Sequence, residues 1–217
     1  MEELTVAVPG GEVTASLHGE GGTVIVLGHG AGGRRTQPAL VRLAESLGAR
    51  GRRVLLYNFL YAERKKGRPD PPAVLEATTR AVGEFAREAP GAKRLVHGGR
   101  SMGGRIASQV VAAGVPADGL VFLAYPLHPP GQPDRLRDQH LGRITVPMLF
   151  VQGTRDGFAR PDLLATVLSR LGPRARFHSV EGGDHSFGVP RSSGRTASQV
   201  EAEISDAVSN WLDERGL

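Results

Sequence analysis

At 217 residues, 40% of them apolar and 23% charged, the chain has the size and composition of one folded core, which excludes a disordered or fibrous polymer. It carries no cysteine, so disulfides, thiolate nucleophiles and thiolate metal sites are excluded as well. The formal charge of +5 comes from 27 basic residues interspersed with 22 acidic ones. Only Arg64, Lys65, Lys66 and Arg68 cluster tightly, without an aromatic stacking series, so a solvated loop is expected there and a nucleic-acid partner is not.

In chain order, Leu4, Val6 and Val8 alternate with polar residues. Pro9, Gly10 and Gly11 then turn the chain into Val13, Ala15 and Leu17, a period of two that predicts an antiparallel hairpin at a sheet edge. The first twenty residues hold no continuous apolar segment of the secretory kind, and no later run approaches the roughly 18 residues needed to span a bilayer, so a cytoplasmic protein without membrane contact is expected. Short apolar runs follow at Thr23 to Leu27, Val54 to Tyr57, Leu95 to His97, Leu120 to Ala124 and Met148 to Val151. Between them come helical spacings: Leu40, Val41, Ala44, Leu47; then Leu75, Val82, Phe85; then Ile106, Ala107, Val110, Val111. Continuous apolar strands alternating with amphipathic helices predict an α/β fold, a mostly parallel sheet with helices on both faces. Pro126 to Thr145 lacks strong periodicity and is too short for a cap domain; at most a helical turn or two is expected around Leu136 to Leu141. Pro161 opens a helix through Leu163, Leu164, Val167, Leu168 and Leu171. Arg176 to Val180 is the last expected strand, and Val200, Ile204, Val208, Trp211 and Leu212 mark the last helix. Neither a repeat nor a linker divides the chain, so residues 1–217 are read as a single domain.

Gly99-Arg-Ser-Met-Gly103 spells G-x-S-x-G at the end of an apolar strand and the start of a helix. In that setting a strained serine is lifted above the carboxyl edge of the sheet, and the flanking glycines allow the close backbone approach that the turn needs. A serine hydroxyl needs a base to become a nucleophile. His185, in the small-residue loop after the last strand, is the candidate, since His18 and His178 fall in strands, His97 in a core strand and His140 in a polar stretch. Asp156, after the strand ending at Gln152, is the candidate acid, in the chain order Ser, Asp, His. Asp184 is the rival, but a neighbour of His185 is badly placed to reach the far ring nitrogen, and Asp162 suits the first turn of a helix. The backbone N–H groups of Ala31 and Met102 occupy the places of oxyanion donors. Arg34, Arg100 and His128 are candidate substrate contacts. The loop Gly28-His-Gly-Ala-Gly-Gly33 also reads as G-x-G-x-x-G, but Tyr57-Asn58 ends the next strand without a ribose-binding acid and Arg34 to Gln37 delay the helix, so a dinucleotide site is not expected. No H-E-x-x-H or similar spacing is present, so neither a metal nor a cofactor is expected.

The ordered segments Gly28-His-Gly-Ala-Gly32, Gly98-Gly-Arg-Ser-Met-Gly-Gly-Arg105, Tyr125-Pro-Leu-His-Pro-Pro-Gly131, Gln152-Gly-Thr-Arg-Asp156 and Gly183-Asp-His-Ser-Phe187 together resemble the small uncapped α/β-hydrolases related to dienelactone hydrolase. Within them the chain is most similar to the branch holding the hydrolase-like subunit of the nonspecific lethal chromatin complex and its testis-expressed relative. The resemblance implies an α/β-hydrolase fold, Ser101 as nucleophile with Asp156 and His185, Ala31 and Met102 as oxyanion donors, and a small-molecule ester or acyl substrate. Dienelactone hydrolase proper uses a cysteine nucleophile, so its substrate does not carry over. Because the branch includes a scaffold-like subunit, a catalytically silent interaction domain is the alternative. Neither reading specifies an oligomeric state.

Overall fold

The glycine-rich turn at residues 9–11 joins the strands β1 (Glu2–Val8) and β2 (Gly11–His18) in the expected antiparallel hairpin. The computed structural model describes residues 1–217. After the hairpin come β3 (Thr23–Gly28), α1 (Pro38–Ala49), β4 (Arg53–Tyr57), α2 (Leu60–Glu63), α3 (Pro72–Glu88), β5 (Arg94–Arg100), α4 (Met102–Ala112) and β6 (Gly119–Leu123). Then follow β7 (Met148–Gly153), α5 (Pro161–Leu171), β8 (Ala175–Val180) and α6 (Ala197–Arg215). The eight strands lie in the order β1-β2-β4-β3-β5-β6-β7-β8, and every pair from β4 to β8 is parallel.

The uninterrupted apolar runs are explained by the two covered faces of this sheet. Ile25 and Leu27 of β3, Val54 and Leu56 of β4, and Leu149 and Val151 of β7 meet Leu40, Leu43 and Leu47 of α1 and Val200, Val208 and Trp211 of α6. The alternate residues point the other way: Val24, Val26, Leu55 and Tyr57 pack with Leu75 and Val82 of α3 and Ile106 of α4. Phe122, Met148 and Phe150 pack with Leu164, Val167 and Leu171 of α5. A strand buried on both sides has no polar position to spare.

The structure departs from the sequence expectations in three places. The short helix α2 was not anticipated, because four residues are too few to show a helical period. Phe85 of α3 is 37% exposed, so it lies off the core face to which its spacing assigned it. The expected last strand, β8, forms an edge of the sheet, which leaves Phe177 43% exposed. Residues 126–145 hold one 3-10 turn, at Leu141–Arg143, which meets the expected Leu136 to Leu141 only at its last residue. That segment is tied down through buried Leu127, Leu141 and Ile144, which join the cluster packed on α4 and α5. It forms no cap, and Ser101 remains half-buried. No helix is long and apolar enough to cross a membrane.

Candidate active site

Ser101 occupies the turn between β5 and α4 at φ 49° and ψ −113°, a region that side-chain-bearing residues rarely adopt. Its N–H donates to Leu123 O at 2.9 Å, anchoring the turn to the neighbouring strand. The flanking glycines explain themselves sterically: a Cβ at Gly99 would stand 2.3 Å from Gly28 O, and one at Gly103 would stand 2.2 Å from the same oxygen. Helix α4 can therefore start directly against β3, with the serine at its N-terminal end.

His185, in the loop between β8 and α6, places Nε2 2.8 Å from Ser101 Oγ. Its Nδ1 lies 2.8 Å from Oδ2 and 3.0 Å from Oδ1 of Asp156. A carboxylate only accepts, so Nδ1 carries the proton and Nε2 is left to accept from the serine hydroxyl. The Asp156 side chain is fully buried. It also accepts from Gln152 Nε2 at 2.5 Å and from Phe158 N–H at 2.8 Å, so each oxygen is held by more than one donor. Phe158 stacks on the imidazole at a centroid distance of 4.1 Å. The loops carrying acid and imidazole touch directly, since a Cβ at Gly153 would meet Gly183 O at 2.2 Å. Asp184 plays a different part: its Oδ1 accepts from Ser186 N–H at 2.7 Å and Gly188 N–H at 2.9 Å, folding its own loop.

The loop after β3 lies beside Ser101, and Ala31 N–H there donates to no protein acceptor. Met102 is the first residue of α4, so its N–H is one of the helix-start donors without an intrahelical acceptor. The loop is clamped by Asn58-Phe-Leu-Tyr-Ala-Glu63, a segment too short for any periodicity to mark it in the sequence. Phe59 N–H donates to His29 Nε2 at 3.2 Å, which leaves His29 Nδ1 to donate to Gly30 O at 2.8 Å. Tyr61 hydroxyl accepts from Gly32 N–H at 3.1 Å and donates to Gly30 O at 3.3 Å. Asn58 Oδ1 accepts from Arg35 N–H at 2.8 Å, and Glu63 holds Asn58 Nδ2 at 2.8 Å and Thr14 N–H at 2.6 Å. Burial pushes His29 down to about 4, keeping the ring neutral as this bonding requires.

The three candidate substrate contacts are placed differently. His128 is buried with Nδ1 2.8 Å from Pro129 O and Nε2 accepting Arg160 N–H at 3.0 Å, so neither ring nitrogen is free to meet a ligand, and the chain reversal there uses both. Arg34 is exposed at the end of the clamped loop. Arg100 directs Nη2 to His185 O at 3.1 Å and Ser186 Oγ at 3.0 Å.

A family model described as an alpha/beta hydrolase domain matches residues 21–213. Among solved structures, the chain is similar to a serine hydrolase without a lid from Xanthomonas campestris, at 18% identity over 97% of this chain and 94% of that one, with a TM-score of 0.73. It is similar to a dienelactone hydrolase from Anabaena variabilis at 20% identity, covering 98% and 97% of the two chains with a TM-score of 0.75. It is also similar to Est1E from Butyrivibrio proteoclasticus, a structure with ferulic acid bound, at 14% identity over 98% of both chains and a TM-score of 0.77. At these identities the likeness is one of fold.

Proposed function

Because the chain belongs to the alpha/beta hydrolase domain family, we propose that it is a serine hydrolase that cleaves carboxylic esters through an acyl-enzyme. The observation that carries this reading is the unbroken line from Ser101 Oγ through the His185 ring to buried Asp156, with hydrogen bonds of 2.8 Å at both ends of the imidazole. In the proposed reaction Ser101 Oγ attacks the acyl carbonyl while His185 Nε2 takes its proton. The oxyanion of the tetrahedral intermediate accepts from the N–H groups of Ala31 and Met102. His185 then returns the proton to the departing alcohol, leaving the acyl group on Ser101. A water, deprotonated by the same nitrogen, releases the acid and restores the serine. Asp156 holds the imidazole in the tautomer that both half-reactions need and stabilises the imidazolium formed in each.

All 217 residues are read as a single hydrolase domain. The ordered motifs from Gly28-His-Gly-Ala-Gly32 to Gly183-Asp-His-Ser-Phe187 support a finer place on the branch of the nonspecific lethal complex subunit. A fluorophosphonate probe tests the central claim: it should label the native chain at Ser101 and leave Ser101→Ala unlabelled. A native chain that resists the probe while folded would shift the reading to an interaction domain.

A further inference from the structure

Between α1 and α6, beneath the loop that carries His185, lies a cavity of about 350 Å³, within the range of small-molecule sites. Its walls are mainly apolar, with Leu40 and Leu43 from α1, Val200 and Ile204 from α6, and Phe187 from the histidine loop. Two cations line it. Arg42 is neutralised by Glu201, with Nε and Nη2 at 2.7 and 2.5 Å from the two carboxylate oxygens. Arg100 has no carboxylate partner: its only protein acceptors are the neutral His185 O and Ser186 Oγ, both taken by Nη2. Burial lowers the pKa of this guanidinium, and the charges of Asp156 and Asp184 offset that only in part. A Cβ built at Gly30 would stand 3.5 Å from Arg100 Nη1 and 3.7 Å from Ser101 Cβ, so the free edge of the guanidinium and the nucleophile flank the same stretch of backbone.

Resting on the hydrolase reading, we propose that this cavity is the acyl-recognition pocket and that Arg100 anchors a carboxylate within it, so that the preferred substrates are half-esters of dicarboxylic acids with a short apolar body. The apolar body fills the space between α1 and α6, and the free carboxylate supplies the charge-assisted bonds that Arg100 Nη1 and Nε lack. Hydrolysis breaks only the ester bond, consuming one water and yielding the dicarboxylate and an alcohol.

The test compares 4-nitrophenyl hydrogen adipate with 4-nitrophenyl hexanoate, which match in length and differ in the terminal carboxylate. The half-ester should be favoured in kcat/KM by about tenfold or more, as expected of a charge-assisted bond. In Arg100→Met that ratio should fall to near one whatever happens to the absolute rates, and Arg100→Lys should recover part of it. Ala197→Phe, which projects a ring into the cavity, should raise KM for both six-carbon substrates more than for 4-nitrophenyl acetate. Monomethyl adipate titrated calorimetrically into Ser101→Ala should bind, and binding should be lost with Arg100→Met added. Acetate ester cleavage with no half-ester preference and no adipate binding would overturn the pocket while leaving the hydrolase reading intact. Adipate binding by a chain that cleaves no ester and ignores the fluorophosphonate would do the reverse.

Discussion

Ser101, His185 and Asp156 lie far apart in the chain, and each is held by contacts that the other two do not supply. Serine strain is maintained by the Leu123 anchor, the imidazole by Phe158 and Arg100, and the carboxylate by Gln152 and Phe158 N–H. Removing one functional group should therefore cost catalysis more than folding. Ser101→Ala and His185→Ala are expected to lower kcat about 10⁶-fold and Asp156→Asn about 10⁴-fold, with circular dichroism unchanged. Asp184→Asn should cost less than about tenfold, because an amide oxygen still accepts from Ser186 and Gly188 N–H. A greater loss in Asp184→Asn than in Asp156→Asn, with the fold intact, would reassign the acid. Because the base must be unprotonated to take the serine proton, kcat/KM should rise with pH along a single acid limb of unit slope. A flat profile with acylation rate-limiting would rule out a histidine base.

At the scale of elements, the helix α2 and the residues entering it serve as a clamp on the loop that presents Ala31. Tyr61 bonds both Gly30 O and Gly32 N–H, on either side of the alanine. Its ring is also fixed edge-on to His29 at a centroid distance of 5.7 Å. Tyr61→Phe keeps the ring and removes both bonds, so the donor should wander while the fold persists. We expect kcat to fall about tenfold, less than the loss of an oxyanion donor itself, with KM little changed. Steady-state kinetics alongside a thermal melt decide this: an unchanged kcat would mean that the loop holds its shape without the hydroxyl.

Across the molecule, three histidines are held in the neutral form, His29 and His97 buried and His140 half-buried. Burial pushes His29, His97 and His140 each down to about 4. His97 is fully enclosed with no partner for either ring nitrogen. An unfolded histidine binds its proton near 6.5, so the unfolded chain gains protons first as the solution is acidified. Stability is therefore complete above about pH 6.5 and declines as the pH falls towards 4, by up to about 3 kcal/mol for His97 alone. Urea midpoints should drop between pH 7.5 and 5, and His97→Leu should show a visibly smaller drop. Equal drops would remove His97 from the explanation. The absence of a cap has its own consequence. With Leu127, Leu141 and Ile144 of residues 126–145 packed against α4 and α5, that segment does not fold over half-buried Ser101 to enclose a long acyl chain. Butyryl esters should be cleaved faster than those beyond about ten carbons, without a rate jump at lipid interfaces. A tenfold preference for palmitoyl esters would show that the 126–145 segment folds over Ser101.

The order of the strands and of every helix but α2, the two-sided burial of the sheet and the strand-turn-helix setting of Ser101 were legible in the sequence because each is a local matter. Strand runs and helical spacings report which faces of an element are apolar, and the glycines of Gly99-Arg-Ser-Met-Gly103 report one crowded turn. The order of serine, aspartate and histidine along the chain was legible for the same reason, since each follows its own strand. Distances were not. Only tertiary structure decided that His128 spends both nitrogens on backbone, that Phe85 turns outward, and that residues 58–63 clamp a loop about thirty positions earlier. It alone joined α1 to α6 around a cavity and left the Arg100 charge without a partner there. Periodicity shows that a face is buried, while the partner that buries it, and the polar group left over, depend on segments brought together only when the sheet closes.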